Sequence, residues 1–410
     1  MGITTFKPAT PEQLADAVRW ALDAGEPLEL TGTGSKRALG RPVQAGHALD
    51  LSDLSGVVSY EPEELVLTVR PATRMAEIEA MLRDRGQHLA FEPPDLGPLY
   101  GQPLGGGTLG GVLAAGLAGP RRLSAGSARD HFLGVAGVSG RGEAYKGGAK
   151  VVKNVTGYDV PKLMAGSFGT LTAMTEVTVK VLPAPEDTRT LLLHGRSDAD
   201  GIRALTAALH SPHEVSGAAH LPESVAERIA PVASARAAVT AIRLEGFGPS
   251  VAARLAGLTA DLSVHFGGID GVLDRDGSLA FWRAVRDAAP FHASNPDTDP
   301  LVWKLSVPPA SGPRVAEELA LALGDVEFFF DWGGGLIWLA TPRDADAAAL
   351  RGALAPFGGH ATLVRGPDSL RAAVDVFQPQ PAPLLALTQR VKASFDPRGV
   401  LNPGRLYAGV

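Results

Sequence analysis

The sequence predicts an α+β protein built in three regions, and three observations carry that reading. First, 45% of the 410 residues are hydrophobic, enough to bury a large core. Second, four strand-like runs between 186 and 375 each give way to a polar or Gly/Pro turn and then to an Ala/Leu-rich helix. The runs are 190–194, 239–244, 302–307 and 336–340, and the helices follow at 199–209, 250–260, 312–323 and 344–354. With extra strands between them and irregular spacing, these units read as ferredoxin-like βαβ halves: an antiparallel sheet with helices on one face. Third, glycine loops crowd the first region, 1–185, which ends at Pro183 and Pro185.

Each element of the first region has a local cause. Thr10 caps a helix, Pro11 takes its first position and Gln13 completes a capping box. Leu14, Ala17, Val18, Ala21 and Leu22 make its apolar face, and Gly25 stops it. A short strand at 28–30 runs into Thr31-Gly-Thr-Gly-Ser-Lys36, and strands follow at 57–60 and 65–70. Thr73 caps a second helix that shows Met75, Ile78, Met81 and Leu82 inward and stops at Gly86. After a glycine stretch come a strand at 132–138, a turn at 139–142, a strand at 144–146 and a long alternating strand at 171–182. The last region, 376–410, opens on Phe377-Gln-Pro-Gln-Pro and holds a helix near 384–395.

Composition narrows the function classes. The 38 basic and 44 acidic residues leave a formal charge of −6, with no basic block to release counterions from nucleic acid. There is no cysteine, so disulfides, thiolate zinc sites, Cys-ligated iron–sulfur clusters and cysteine nucleophiles are excluded within this chain. The N-terminus lacks the apolar run of a secretory signal. The 25 residues from Leu96 to Pro120 carry no charge, yet nine are glycine and Pro98 and Pro103 interrupt them. They read as a glycine loop leading into a short buried helix rather than a membrane span, and the expected location is the cytoplasm.

Gly105-Gly-Gly-Thr-Leu-Gly110 matches G-x-G-x-x-G, with Asp130 following at 20 residues. No strand precedes it, and Asp130 lies ahead of the next strand, so a dinucleotide Rossmann site is not supported. No triphosphatase P-loop occurs either. Four glycine loops offer another route to an extended anion, because consecutive backbone N–H groups form a nest that needs no charged side chain. They are Thr31–Lys36, Thr108–Gly111 at a helix start, Gly126–Asp130 and Gly166–Thr170.

The run Lys153-Asn-Val-Thr-Gly-Tyr-Asp-Val-Pro-Lys-Leu-Met-Ala-Gly-Ser-Phe-Gly-Thr-Leu-Thr-Ala-Met-Thr-Glu-Val177 resembles the FAD-binding, PCMH-type (vanillyl-alcohol oxidase-like) flavoproteins. Gly106-Gly-Thr-Leu-Gly-Gly111 and Phe395-Asp-Pro-Arg-Gly-Val-Leu-Asn-Pro-Gly-Arg405 are similar to the same family. More narrowly, Ala115-Gly-Leu-Ala-Gly-Pro-Arg-Arg122 and Phe329-Phe-Asp-Trp-Gly-Gly334 resemble the smaller FAD-binding subunit of bacterial glycolate oxidases. The resemblance implies a two-subdomain FAD-binding domain over 1–185, an α+β cap over 186–375 and a C-terminal segment, 376–410, returning to the FAD domain.

The resemblance also distributes roles. Thr31, Gly32, Thr33, Gly34, Ser35 and Lys36 wrap the flavin pyrophosphate, joined by Thr108, Leu109, Gly110 and Gly111. Gly126, Asp130, Thr156 and Tyr158 lie near the ribityl or ring portion. Gly169, Thr170, Met174 and Glu176 hold the adenosine end, and Asn402 and Arg405 bring the C-terminus back. Many members attach the flavin through a histidine in the first glycine loop; here that loop reads Gly34-Ser35-Lys36, which implies non-covalent FAD. The implied partners are a larger FAD-containing subunit and an iron–sulfur subunit, with a peripheral place at the inner membrane through the complex, and the implied reaction oxidises glycolate to glyoxylate. Two other readings stay open: a free-standing oxidase or dehydrogenase of another hydroxy acid, sugar or alcohol, and a flavin-bearing subunit without its own substrate.

Oxidation of a 2-hydroxy acid needs a hydride acceptor, a base for the hydroxyl proton and a cation for the carboxylate. Arg243 and Lys304, on cap strands, are candidates for the cation, with Arg37 and the Arg121-Arg122 pair as further options. The His210-Ser-Pro-His213 spacing lacks a third ligand, so no metal is expected there. Trp332, Trp338 and 328–330 read as core of a cap hairpin. No catalytic base is assigned.

Overall fold

Helix α1 (Pro11–Ala24) forms where its signals place it. The Thr10 hydroxyl accepts from the Gln13 N–H, and Gly25, at φ 69°, closes the helix through its N–H to the Ala21 carbonyl. The box itself is offset: the Gln13 side chain accepts from Ala9 N–H at 2.8 Å, one residue before the cap. Helix α2 (Met75–Arg83) starts one residue later than predicted, after Arg74. Thr73 is held elsewhere, accepting from Gly56 N–H at 2.9 Å and donating to the Arg70 carbonyl at 2.7 Å. Helix α3 (Leu109–Ala115) is the short buried helix expected within the uncharged stretch, capped by the Thr108 side chain.

The computed structural model describes residues 4–148 and 158–410. Strands β1 (Thr4–Phe6), β2 (Leu28–Thr31) and β3 (His47–Asp50) form a parallel sheet in the order β1-β3-β2. Strands β4 (Val57–Glu61), β5 (Val66–Val69), β7 (Phe132–Ser139), β8 (Ala144–Gly148) and β9 (Thr172–Lys180) form an antiparallel sheet ordered β4-β5-β9-β7-β8. A small pair joins β6 (Gln87–His88) to β10 (Leu182–Pro183). Strands β1, β3 and β6, only two to four residues long, were not anticipated, because so short a run shows no periodicity.

The remaining strands make one antiparallel sheet of eight. They are β11 (Asp187–His194), β12 (Gly217–Leu221), β13 (Val239–Gly246), β14 (Gly271–Leu273), β15 (Leu301–Ser306), β16 (Glu327–Asp331), β17 (Leu336–Thr341) and β18 (His360–Arg365). Their order is β14-β11-β13-β12-β16-β17-β15-β18. Leu191, Leu193, Ile242 and Trp303 point to one face, packed with Leu205, Leu258, Leu319 and Leu350 of the helices 198–209, 248–266, 312–323 and 347–354. Leu192, Ala241, Val302 and Trp338 point to the other, into a core shared with α2 and α3. Both faces are buried, which is why these strands read as nearly continuous apolar runs. The 328–330 run and both tryptophans lie in the β16–β17 hairpin.

The C-terminal helix (Ala382–Phe395) brings the chain back to β2, where Leu401 bridges Leu28 in parallel. Buried Lys392 locks this return, donating to the Thr170 and Leu401 carbonyls and to Asp396 at 2.6 Å. Among the described residues no helix is long and apolar enough to cross a membrane.

Candidate functional site

A cradle forms where β2 ends. The chain turns through Gly32–Lys36, with Gly34 at φ 76°, and the N–H groups of those five residues meet no acceptor among the described residues. Thr33 Oγ1 donates to the Gly106 carbonyl, tying this loop to the second glycine loop. Two abutting cavities follow. Thr33–Lys36, Ala115 and Arg405 wall the first, and Leu51, Ala72, Gly110, Gly169, Thr172 and Met174 wall the second. Leu30, Thr31, Gly32, Thr108, Gly111, Ala114, Phe168 and Asn402 line both.

Lys36 supplies the charge. Its ammonium lies deep in the protein with its tip open to the cavity, 3.4 Å from Ser35 Oγ and in no ion pair among the described residues. Burial pushes its pKa down to about 8, and the distant Asp95 only partly opposes this. Asp95 itself accepts from the Gly97 and Gly105 N–H groups. A Cβ on Gly111 would come 3.5 Å from the ammonium, so the lysine tip occupies the space a side chain there would fill. An unpaired buried cation beside five free backbone donors is a site for an extended anion, and it fits the diphosphate of the expected flavin.

The C-terminus shapes the same wall. Arg405 donates to the Lys36, Arg37 and Arg41 carbonyls at 3.0, 2.8 and 3.2 Å, holding the first loop from outside. Asn402 accepts from Leu30 N–H and donates to the Phe168 carbonyl, each at 2.8 Å. Phe168, at φ 53°, was not singled out from sequence, although its Gly166–Thr170 loop was. Ala114, Ala115, Leu51 and Ala72 were likewise missed, because small apolar wall residues look the same as core in a sequence.

Several assigned residues do other work. Leu109 N–H donates to the Thr73 carbonyl at 3.1 Å and Gly110 N–H to the Pro71 carbonyl at 2.8 Å, so neither is free for an anion. Gly110 still matters, since a Cβ there would sit 2.5 Å from Pro71 Cβ. Gly126 and Asp130 line neither cavity; Asp130 accepts from the Ser127 N–H and hydroxyl, both at 2.8 Å, in a capping box. Thr170 donates to the Ser167 carbonyl away from the cavity. Glu176 also leaves it, because the ladder to β7 shifts between Ala136 and Gly137 and leaves Thr175 as an extra residue. That bulge flips the alternation after Met174. Tyr158 is 92% exposed. Thr156 lies outside the described residues.

Charge at the junction of the first region and the eight-stranded sheet sorts the cation candidates. Arg243 grips Glu92 with two bonds of 3.0 and 2.9 Å and stacks 4.6 Å from the Trp282 ring centre, so it is not a free cation. Arg121 binds Glu245 at 2.9 Å and His88 Nδ1 at 3.0 Å. Burial alone would raise the Glu92 pKa, but Arg243 and Arg121 outweigh it and hold the carboxyl below its ordinary range. Burial and then Arg121 push His88 down to about 4. Arg37 is paired to Glu29 at 2.7 Å. Lys304 has no hydrogen bond or ion pair among the described residues and lies 5.0 Å from the Trp332 ring centre. His213 Nε2 pairs with Asp261 at 2.8 Å while His210 turns to the Thr206 carbonyl, so the two histidines do not converge.

The sequence matches the FAD binding domain family over residues 4–148. It is 34% identical over 400 residues to the glycolate oxidase subunit GlcE of Escherichia coli, covering 97% of each chain. It is 31% identical over 167 residues to the glycolate oxidase subunit GlcD of Bacillus subtilis, covering 40% of this chain and 34% of that protein. Among solved structures, substrate-bound p-cresol methylhydroxylase superposes with a TM-score of 0.73 at 14% identity, covering 99% of this chain and 88% of that one, a likeness of fold.

Proposed function

The chain belongs to the FAD-binding, PCMH-type flavoprotein family and is an FAD-dependent oxidoreductase, and from that membership we propose that it is the smaller FAD-binding subunit of a glycolate oxidase-type complex. The observation that carries the reading is the end-to-end likeness to the Escherichia coli subunit, 34% identity over 97% of both chains. The cradle supports it. The Gly32–Lys36 N–H groups and the Lys36 ammonium bind the diphosphate, and Leu51, Thr172 and Met174 receive the adenosine end. FAD, when bound, accepts hydride from the carbon that carries the substrate hydroxyl. The first glycine loop reads Gly34-Ser35-Lys36 where many family members carry the attaching histidine, which supports FAD held without a covalent bond. With no cysteine the chain carries no Cys-ligated iron–sulfur centre of its own, and in this reading its electrons pass to a larger FAD-containing subunit and an iron–sulfur subunit, in a cytoplasmic assembly that touches the inner membrane through its partners.

Anaerobic mixing with glycolate tests this. Bleaching of the flavin in the assembled complex, with acid precipitation releasing all yellow colour, is the expected result. No bleaching in the complex, or a native-host purification in which the chain runs alone, would sink the assignment. Bleaching by the isolated chain would favour a free-standing enzyme.

A further inference from the structure

We propose that Lys304, Arg122 and Trp332 form a second anion site, which takes the carboxylate of a small 2-hydroxy acid where the eight-stranded sheet meets the segment after α3. The proposal rests on the hydroxy-acid reading above. Of the five cations considered, Arg37, Arg121 and Arg243 are closed by carboxylates, whereas Lys304 and Arg122 make no side-chain hydrogen bond or ion pair among the described residues. Both lie over one indole: the Arg122 guanidinium carbon is 4.9 Å, and the Lys304 ammonium 5.0 Å, from the Trp332 ring centre. Cation–π contact uses the ring face and leaves the N–H edges of both cations available to a planar oxyanion.

Trp332 is a rigid floor. Its Nε1–H donates to the Gly119 carbonyl at 3.0 Å, and its own backbone at φ 52° is followed by Gly333 at 65° and Gly334 at 99°. Two acids lie near the pair, and neither forms an ion pair with it among the described residues. Asp331 accepts from Trp332 N–H at 2.7 Å, and burial lifts its carboxyl to about 7, so it is only partly charged. Asp130 accepts from Ser127, which holds its carboxyl below the ordinary range, so it keeps its charge near Arg122 but forms no ion pair with it among the described residues. Lys304 is half-buried, and burial, then Arg122, lower its pKa to about 8. Two cations over one ring with no carboxylate bonded to either repel each other, a cost that an anion bound by both offsets. Helix α3 lines the cradle with Gly111, Ala114 and Ala115, and the chain that follows it carries Gly119, whose carbonyl holds the Trp332 indole, and then Arg122.

Oxalate, a small carboxylate with no hydroxyl-bearing carbon to oxidise, is the probe, titrated calorimetrically into the FAD-loaded full chain. One saturable site is expected, weakened roughly tenfold or more by Lys304→Met and by Arg122→Gln and kept within a few-fold by Lys304→Arg. FAD content and melting temperature are recorded for each variant to exclude misfolding. Unchanged affinity in both charge-removing variants that remain folded and FAD-loaded overturns the site and leaves the glycolate reading standing. Equal competition by inorganic phosphate overturns the carboxylate class. Absence of any oxalate binding overturns the site, and the anaerobic glycolate experiment then decides the substrate reading independently.

Discussion

Two sets of buried cations in this protein live under opposite rules. At the junction with the eight-stranded sheet, Arg121 and Arg243 interlock with Glu92 and Glu245, and His88 and Ser216 take further donors. At the cradle, Lys36 faces five open N–H groups and no carboxylate. The first arrangement joins two parts of the chain and is complete as it stands. The second is incomplete, a cation held out of water at a cost that only an anionic ligand offsets. Both are positive patches in sequence. Pairing, which only the structure shows, tells a joint from a binding site.

The largest expected effect breaks the joint. Arg243→Ala leaves Glu92 buried and half its partners gone, and the urea-unfolding free energy should fall by about 3–5 kcal/mol. A loss below about 1 kcal/mol would mean the junction is not held by this pairing. Next comes Lys36→Met, predicted to weaken FAD binding by about 10–100-fold while raising apoprotein stability by about 1–3 kcal/mol, opposite in sign to the Arg243 variant. A destabilised apoprotein would put Lys36 in the same class as Arg243 and erase the contrast.

The pH dependence follows from the depressed Lys36 pKa. With the folded pKa near 8 and the ordinary value at 10.5, the unfolded chain holds the extra proton between them. Apoprotein stability from this group therefore rises with pH across that window and is flat below it. FAD favours the protonated lysine, so its affinity should fall by up to tenfold per pH unit above about 8. A titration of FAD affinity that stays flat from about pH 7 to 9.5 would remove Lys36 from the diphosphate site. The smallest effect is Gly34→Ala. Nothing lies within 4 Å of the added methyl, and only the φ of 76° is penalised, so about 1 kcal/mol is lost.

Much of the fold was legible because local causes and tertiary result agree. Thr10, Pro11 and Gly25 bound α1 in both sequence and structure, and the four strand-to-helix units of 187–354 appear within three residues of their predicted limits except the second helix, which runs to Phe266 rather than 260. Legibility failed where one residue has two possible partners. Thr73 had the chemistry of a cap, yet the Gly56 and Arg70 backbone groups claimed its hydroxyl. Asp130 had a position like a channel wall, yet Ser127 lay three residues away in capping geometry. Glu176 leaves the cavity through one extra residue in β9, which a strand read as regularly alternating over 171–182 does not reveal.

The sequence by itself determined which chemistry this chain lacks and where its backbone comes open. Zero cysteines, a glycine loop directly after a strand and the absence of a histidine from that Gly34-Ser35-Lys36 loop are properties of composition and order, and they needed no coordinates. Tertiary structure decided which charges are spent. Arg243 and Lys304 are equivalent as basic residues on cap strands, but Glu92, 151 residues before Arg243, closes one, and nothing among the described residues closes the other. A charge buried in protein is governed by what stands a few ångströms away, and distance along the chain carries almost no information about that.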